Sequence, residues 1–342
     1  MERNITQQPN IFDFATGELS QDAFLAWLAS WANDKLASID PILNQTAKSF
    51  LKMLCNHNIT EADIDEVKVK LQYKKTDVLI DISLKNPHSK KHLIIIEDKT
   101  GTGQRSGQLK RYKEEIEKDL QSGQKYENYH PHFIYYKTHD HLTYELHGFR
   151  NVTRADALNI LDTKNTKLVT NQIFIDYVSR LRKMENDSLS YTSKPWMEWE
   201  YAQWNGFLMA LCQRLGEGAN FGYVPNASGG FIGAWFGWTV IKGMTDTDRL
   251  YIQLGAVPKT KFDMKLRISS ANKEATENLK TLILPLINAK FKTSDIKTSS
   301  SNIRKGKTVA ILTFEELGIV ETNDKVERLA QKIETVITFL RA

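Results

Sequence analysis

The sequence predicts an α/β protein: a mixed central sheet flanked by helices, followed by a second, α+β domain. Three observations carry that expectation. After the opening helices, three strand-like runs, a helix and a fourth strand follow one another. One of those strands, Leu93 to Lys99, is apolar enough to be buried on both faces, as a strand inside a covered sheet must be. A polar stretch ended by proline, Asn186 to Pro195, then separates this part from a region of mixed strands and helices. The expected domains are 1–186 and 195–342.

Each element has a local reason. Ser20 is a good N-cap, and Phe24, Trp27, Leu28 and Trp31 follow it at helical spacing. Asp40-Pro41 opens a second helix as cap and first residue, with Leu43, Ala47, Phe50, Leu51 and Leu54 on its apolar face. Val67, Val69, Leu71 and Tyr73 alternate with polar residues, which reads as a half-buried strand. Thr76 to Leu84 is the next strand, and a turn-rich connection, Lys85 to Lys91, leads into Leu93–Lys99. Gly101-Thr102-Gly103 breaks that strand and is not a phosphate loop, because no G-x-x-x-x-G-K-[ST] is present. A helix then carries Leu109, Tyr112, Ile116 and Leu120 on one stripe, and His132 to Tyr136 is the fourth strand. Further helices are expected from Thr153, with Leu158 and Leu161 buried, and over Asn171 to Met184. Beyond the linker come an aromatic helix from Trp196 to Leu215, then strands at Phe231–Ile241, Leu250–Gly255, Asp263–Ile268 and Thr308–Thr313. Helices are expected at Lys273–Leu286 and Asp324–Leu340.

Composition narrows the class. The 342 residues are 41% hydrophobic and 25% charged, which excludes a disordered or fibrous chain. No apolar run is long enough to span a bilayer, and the N-terminus lacks the apolar stretch of a signal peptide, so a cytoplasmic protein is expected. Two cysteines, Cys55 and Cys212, cannot build a disulfide framework and read as core residues. The net charge is +5, but residues 255–309 carry twelve basic side chains against Asp263, Glu274, Glu277 and Asp295. That local excess of +8 suits a polyanion such as nucleic acid, and equally keeps a domain dispersed in solution.

Two strands and one helix carry the chemistry. Side chains alternate along a strand, so Glu97 and Lys99 share one face and Asp98 points the other way. An antiparallel neighbour brings Asp77 beside Glu97. Two carboxylates with the Asp98 backbone carbonyl between them form an all-oxygen nest suited to Mg²⁺ or Mn²⁺. A lysine beside such a nest serves to hold an attacking water or to offset charge on a phosphoryl group. Asp81 lies on the same face as Asp77 and competes with it for the metal role.

Asp77, Glu97-Asp98-Lys99, and Gln108 followed four residues later by Tyr112 resemble the PD-(D/E)XK nuclease superfamily, the last pair its Q-x-x-x-Y element. The run Phe12 to Ser20 ahead of Phe24-Leu25-Ala26-Trp27-Leu28 resembles the opening of its PDDEXK_4 subgroup. The resemblance implies a restriction-endonuclease-like core over the first half of the chain and a Mg²⁺- or Mn²⁺-dependent nuclease. It further implies DNA as the favoured substrate, cleavage leaving a 5′-phosphate, and a place in defence against foreign DNA. Metal ligands would be Asp77, Glu97 and the Asp98 carbonyl. Lys99 would assist water, Gln108 and Tyr112 would position the strand, and Glu18, with Asp22 second, would support the metal. Thr76 stands where the superfamily's proline is expected. A nuclease-like module that binds nucleic acid without cutting it is the rival reading, and a regulatory protein with a basic C-terminal half is the second.

The remaining clusters read as structural. His130-x-His132 and His139-x-His141 lack companion cysteine or carboxylate spacing for zinc. Trp196, Trp199, Trp204 and Phe207 read as packing. Phe231 to Trp238 is mainly core, with Trp235 or Trp238 left as exposed stacking surfaces. Arg105, Lys110 and Arg111 read as solvated helix charges.

Overall fold

The run Leu93-Ile94-Ile95-Ile96 has no solvent-facing side, each residue being 0% exposed. Such a strand must have a neighbour on both edges and a layer on both faces, and the rest of the first unit supplies them. The computed structural model describes residues 9–101, 107–142, 145–226, 229–239, 247–292, 294–300, 306–315, 319 and 321–341. These divide into two units, residues 1–139 with 143–185, and residues 140–142 with 186–342.

The first unit opens with α1 (Glu18–Trp31) and α2 (Pro41–Leu54). The strands β1 (Ile64–Tyr73), β2 (Thr76–Leu84) and β3 (Lys91–Lys99) follow as an antiparallel meander. Then α3 (Gln108–Asp119) crosses over to β4 (Tyr129–Lys137), parallel to β3, and β5 (Arg150–Thr153) lies parallel to β4. A parallel pair cannot be closed by a tight turn, which is the topological reason for α3. Next come α4 (Arg154–Leu161) and α5 (Gln172–Leu189), whose residues up to Glu185 belong to this unit. Among the described residues the sheet order is β1-β2-β3-β4-β5. Ile94 and Ile96 join the core built with α1, α2, α4 and α5, and Leu93 and Ile95 join a second core with Ile116 of α3. Each such buried side chain contributes about 1.5–3 kcal/mol.

Local expectations meet local corrections. Asp40 caps α2, its carboxylate accepting from the Leu43 N–H at 2.9 Å. Ser20 is not a cap: α1 begins two residues earlier, at Glu18, after Gly17. Glu18 gains from standing in the first turn, where the helix dipole favours a carboxylate. The short strand β5, which has no legible alternation, forms because its backbone completes the edge beside β4.

The stretch Asn186 to Pro195 is not an extended linker throughout. α5 runs to Leu189, and Ser190–Thr192 form a 3₁₀ turn. This part is held by Gln203, whose Nε2 donates to the Asp187 carbonyl and the Ser190 hydroxyl at 2.8 Å each. The aromatic helix is shorter than its periodicity suggests: α6 spans Tyr201–Leu215, because Glu200 and Gln203 form a reciprocal capping box at its start. Trp199, Trp204 and Phe207 are fully buried.

The second unit continues with β6 (Asn220–Val224), β7 (Phe231–Thr239), β8 (Arg249–Val257) and β9 (Lys261–Ser269). After them come α7 (Lys273–Lys292), β10 (Thr298–Ser300), β11 (Thr308–Phe314) and α8 (Lys325–Arg341). The described strands form an antiparallel sheet in the order β10-β11-β9-β8-β7-β6. Its two edge strands carry no sequence period. α7 continues past Pro285 because Ile283, Ile287 and Phe291 are all buried on one stripe. One face of the sheet enters the core, with Ile252, Leu254, Met264 and Leu266, while Gln253, Lys265 and Arg267 alternate onto the other. Trp235 is half-buried; the Trp238 side chain, Thr102, Gly103, Arg105, Ile241, Arg304 and Lys305 lie outside the described residues. No helix among the described residues is long and apolar enough to cross a membrane.

Gly206 tests the packing of α6. A Cβ there would press into the Ser188 carbonyl oxygen, closer than any side chain tolerates. Gly206→Ala is expected to cost about 1–3 kcal/mol, read as a lower urea midpoint for the unit containing α6. An unchanged midpoint would mean that this approach carries no stability.

Candidate active site

Because β2 and β3 are antiparallel, the start of one lies beside the finish of the other. Their register pairs Val78 with Ile96, so one residue further on Asp77 comes level with Glu97. The Asp77 carboxylate accepts the Asp98 backbone N–H at 2.7 Å, which fixes its direction. Lys99, the last residue of β3, folds back into this corner. Its Nζ lies 2.6 Å from Glu97 Oε1, 3.7 Å from Glu18 Oε2 and 4.0 Å from Asp77 Oδ2. It also donates to the Asp98 carbonyl at 2.7 Å. The structure thus brings Asp77, Glu97, the Asp98 carbonyl, Lys99 and Glu18 to one point.

Gln108 opens α3 and reaches the same corner. Its Nε2 donates to Glu97 Oε1 at 2.6 Å and to the Tyr112 hydroxyl at 3.2 Å, one helical turn on. Lys110 and Arg111, on the same helix, are exposed. Asp81 is elsewhere: it sits opposite Leu93, four residues along β2 from Asp77, and accepts from the Tyr129 hydroxyl at 3.2 Å. Register therefore brings Asp77, and not Asp81, into the corner with Glu97 and Lys99.

Behind the strand a second acidic layer appears. The Asp98 side chain, fully buried, accepts from Gln21 Nε2 on α1. The Tyr177 hydroxyl donates to Gln21 Oε1 at 3.4 Å and meets the Tyr136 hydroxyl at 3.1 Å. Asp22, one turn after Glu18, is 2% exposed, and neither of its oxygens, nor Asp98 Oδ2, nor Glu97 Oε2, meets a donor among the described residues.

The electrostatics follow from this crowding. Burial first, then the charge of Asp77, pushes Glu97 up to about 7. The same two causes, in the same order, push Asp22 up to about 7, and burial raises Asp98 as well. For Lys99 burial works against the charge, but the Glu97 hydrogen bond and the charges of Glu97, Asp77 and Glu18 outweigh it, and its pKa rises. The Lys99 ammonium is ringed by oxygens of Glu97, Asp77, Glu18 and the Asp98 carbonyl, a nest of negative character. Its all-oxygen donor set, with Glu97 Oε2 unsatisfied, fits a hard divalent ion.

One neighbour escaped the sequence reading. Lys137 ends β4 directly beside Lys99 in the parallel register and is 3% exposed. Burial lowers its pKa to about 8. The signal was present: Lys137 closes Phe133-Ile134-Tyr135-Tyr136 as Lys99 closes its own apolar run. Gln21 was also missed, since a glutamine on a helix has no visible partner in sequence.

The raised acids give a pH dependence. Between about pH 4 and 7 the folded state holds protons on Glu97 and Asp22 that the unfolded chain has lost, so these groups reduce stability as pH rises. Buried His132, lowered to about 3, acts in the opposite sense between about 3 and 6.5, so the comparison must be made against a variant. In metal-free buffer, Asp22→Asn is expected to gain thermal stability relative to the wild type as pH goes from about 5 to about 7.5. A constant difference across that range would contradict the buried acid pair.

The PDDEXK_4 family model, of the PD-(D/E)XK nuclease superfamily, matches residues 9–198, more than half of the chain. No curated protein and no solved structure matches it. The matched span contains the mixed sheet, its helices and every residue of the corner from Glu18 to Tyr112. The chain belongs to the PDDEXK_4 family of the PD-(D/E)XK nuclease superfamily.

Proposed function

We propose that this protein is a metal-dependent nuclease that hydrolyses phosphodiester bonds of nucleic acid, DNA being the favoured substrate and Mg²⁺ or Mn²⁺ the cofactor. The observation that carries the reading is the convergence of Asp77, Glu97 and Lys99, both carboxylates within 4.0 Å of the lysine ammonium, with Gln108 on the same Glu97 oxygen. Asp77, Glu97 and the Asp98 carbonyl would hold the cation, with Glu18 in support. When bound, such an ion polarises the phosphoryl oxygen and lowers the pKa of a bound water.

The chain's own groups do the rest. Lys99 Nζ orients the attacking water by hydrogen bonding and offsets the negative charge that grows on phosphorus. Gln108 Nε2, donating to Glu97 and to the Tyr112 hydroxyl, orients that hydroxyl at the start of α3. This leaves the Tyr112 O–H to donate to a phosphate oxygen, so the pair would position the strand. Hydrolysis releases a 5′-phosphate, and a role in defence against foreign DNA belongs to the same reading. Asp77→Asn and Lys99→Ala are each expected to lower Mg²⁺- or Mn²⁺-dependent cleavage by about 10²-fold or more, with unchanged circular dichroism. Full cleavage by both variants would remove the proposal. A folded wild type that retains DNA but cuts neither DNA nor RNA would leave a binding module.

The second unit supports a docking surface for the same polyanion. Lys261, Lys265 and Arg267 line a hollow of about 390 Å³ on the open face of its sheet, with Phe231 and Gln253. Asp263 pairs with Lys261 and Lys265 at 2.8 Å each, so the positive charge there is partly offset. Lys265→Ala with Arg267→Ala is expected to weaken DNA retention and to make it less steeply salt-dependent, by about one in the logarithmic slope for each phosphate no longer neutralised. An unchanged slope would assign those cations to solvation alone.

A further inference from the structure

We propose that Cys55, His92 and His132 form a zinc site that clasps the end of α2 to the starting ends of β3 and β4. Thirty-seven and seventy-seven residues separate the cysteine from the two histidines in sequence, so no spacing motif announces them. The fold nevertheless gathers one ligand atom from each within 4.8 Å of the others. All three are buried: Cys55 is 0% exposed, His92 7% and His132 8%.

The geometry comes from the backbone. Cys55 follows the last residue of α2, its N–H donating to the Leu51 carbonyl at 2.8 Å. His92 and His132 lie on adjacent parallel strands and on the same sheet face, so their rings stack, with centroids 5.2 Å apart and planes at 10°. His92 Nδ1 and His132 Nε2 hydrogen-bond to one another at 2.9 Å. Such a bond needs a proton between two lone pairs, and a metal ion placed there would replace that proton and accept both. Tetrahedral zinc, with Zn–N of about 2.0–2.1 Å and Zn–S of about 2.3 Å, sets its ligand atoms about 3.3–3.6 Å apart. To meet that geometry the two nitrogens, 2.9 Å apart, would separate by about 0.4 Å and the sulfur would close on them by roughly 1 Å, both within the reach of side-chain rotation. The His–His bond alone accounts for two of the three groups; a buried thiol within 4.8 Å of both histidines is what a metal explains.

The donor chemistry separates this cluster from the acidic corner. One sulfur and two imidazoles suit zinc, whereas carboxylates and a carbonyl suit magnesium or manganese. The two places are also far apart, since His92 stands seven residues before Lys99, roughly 23 Å along β3. His130 gives the site a mouth. It is exposed, is the register partner of His92, and its ring lies 4.8 Å from that of His132. It or a water would complete the coordination. Arg150 stands close by, but its guanidinium is committed to the Met53 and Leu54 carbonyls at 2.7 and 3.0 Å.

The test uses the full chain, stripped of metal and reloaded with Co²⁺. The wild type is expected to show an intense thiolate-to-cobalt charge-transfer band, which carboxylate-bound cobalt does not give. The band is expected to vanish in Cys55→Ala, to weaken in His132→Asn, and to persist in Cys212→Ala and Asp77→Asn. X-ray absorption of the zinc-loaded wild type is expected to show one sulfur at about 2.3 Å beside nitrogen ligands. That measurement needs no variant, so poor folding of Cys55→Ala leaves it intact. A coordination shell without sulfur, a wild type with no charge-transfer band, or a band that survives in folded Cys55→Ala would each overturn the proposal.

Discussion

A buried ammonium held by carboxylates at the end of the central strand is the constraint around which the first unit is arranged. Lys99 is 7% exposed, yet it stays charged because Glu97, Asp77 and Glu18 surround it. Those carboxylates in turn come from three different elements: β3, β2 and the first turn of α1. Of the charged groups there Glu97 and Lys99 are the buried ones, and neither could stay charged alone, since an unpaired buried charge costs several kcal/mol. The corner is therefore assembled by mutual need, and the strands must meet in one register for it to exist.

The balance is not complete, and the imbalance is informative. Acids outnumber bases in the corner once Asp22 and Asp98 are included, and burial raises Glu97, Asp22 and Asp98 together. A fold optimised only for stability would replace such acids with apolar groups of similar volume. Groups perturbed in this way by burial and by one another cluster at functional sites, which supports the nuclease reading proposed above. The neutral amide of Gln21 and the hydroxyls of Tyr136 and Tyr177 ease the cost by giving Asp98 a polar neighbourhood.

The central strand is polar at both ends and for different reasons. At its finish hard oxygen donors collect, and at its start soft donors do, with the apolar run Leu93–Ile96 between them. Alternation along β3 and β4 places His92, Ile94, Ile96 and Asp98 toward α1 and α2, and Leu93, Ile95 and Glu97 toward α3. The second unit uses an antiparallel sheet differently, covering one face with helices and leaving the other for charge.

Much of this was legible from local pattern. Periodicity marked most of the long helices and strands, Asp40-Pro41 marked the start of α2, and alternation alone placed Glu97 with Lys99 and against Asp98. Those features depend on near neighbours in the chain, which a sequence displays directly. The helical stretch after Asn186, the edge strands β5, β6 and β10, and the true start of α1 did not show, because each is decided by a partner distant in sequence. Which of Asp77 and Asp81 stands level with Glu97 required the register of β2 on β3, since both aspartates lie on one face. Lys137, Gln21 and the meeting of Cys55 with two histidines needed the tertiary fold, since chain spacing says nothing about which strand ends and helix ends are brought together.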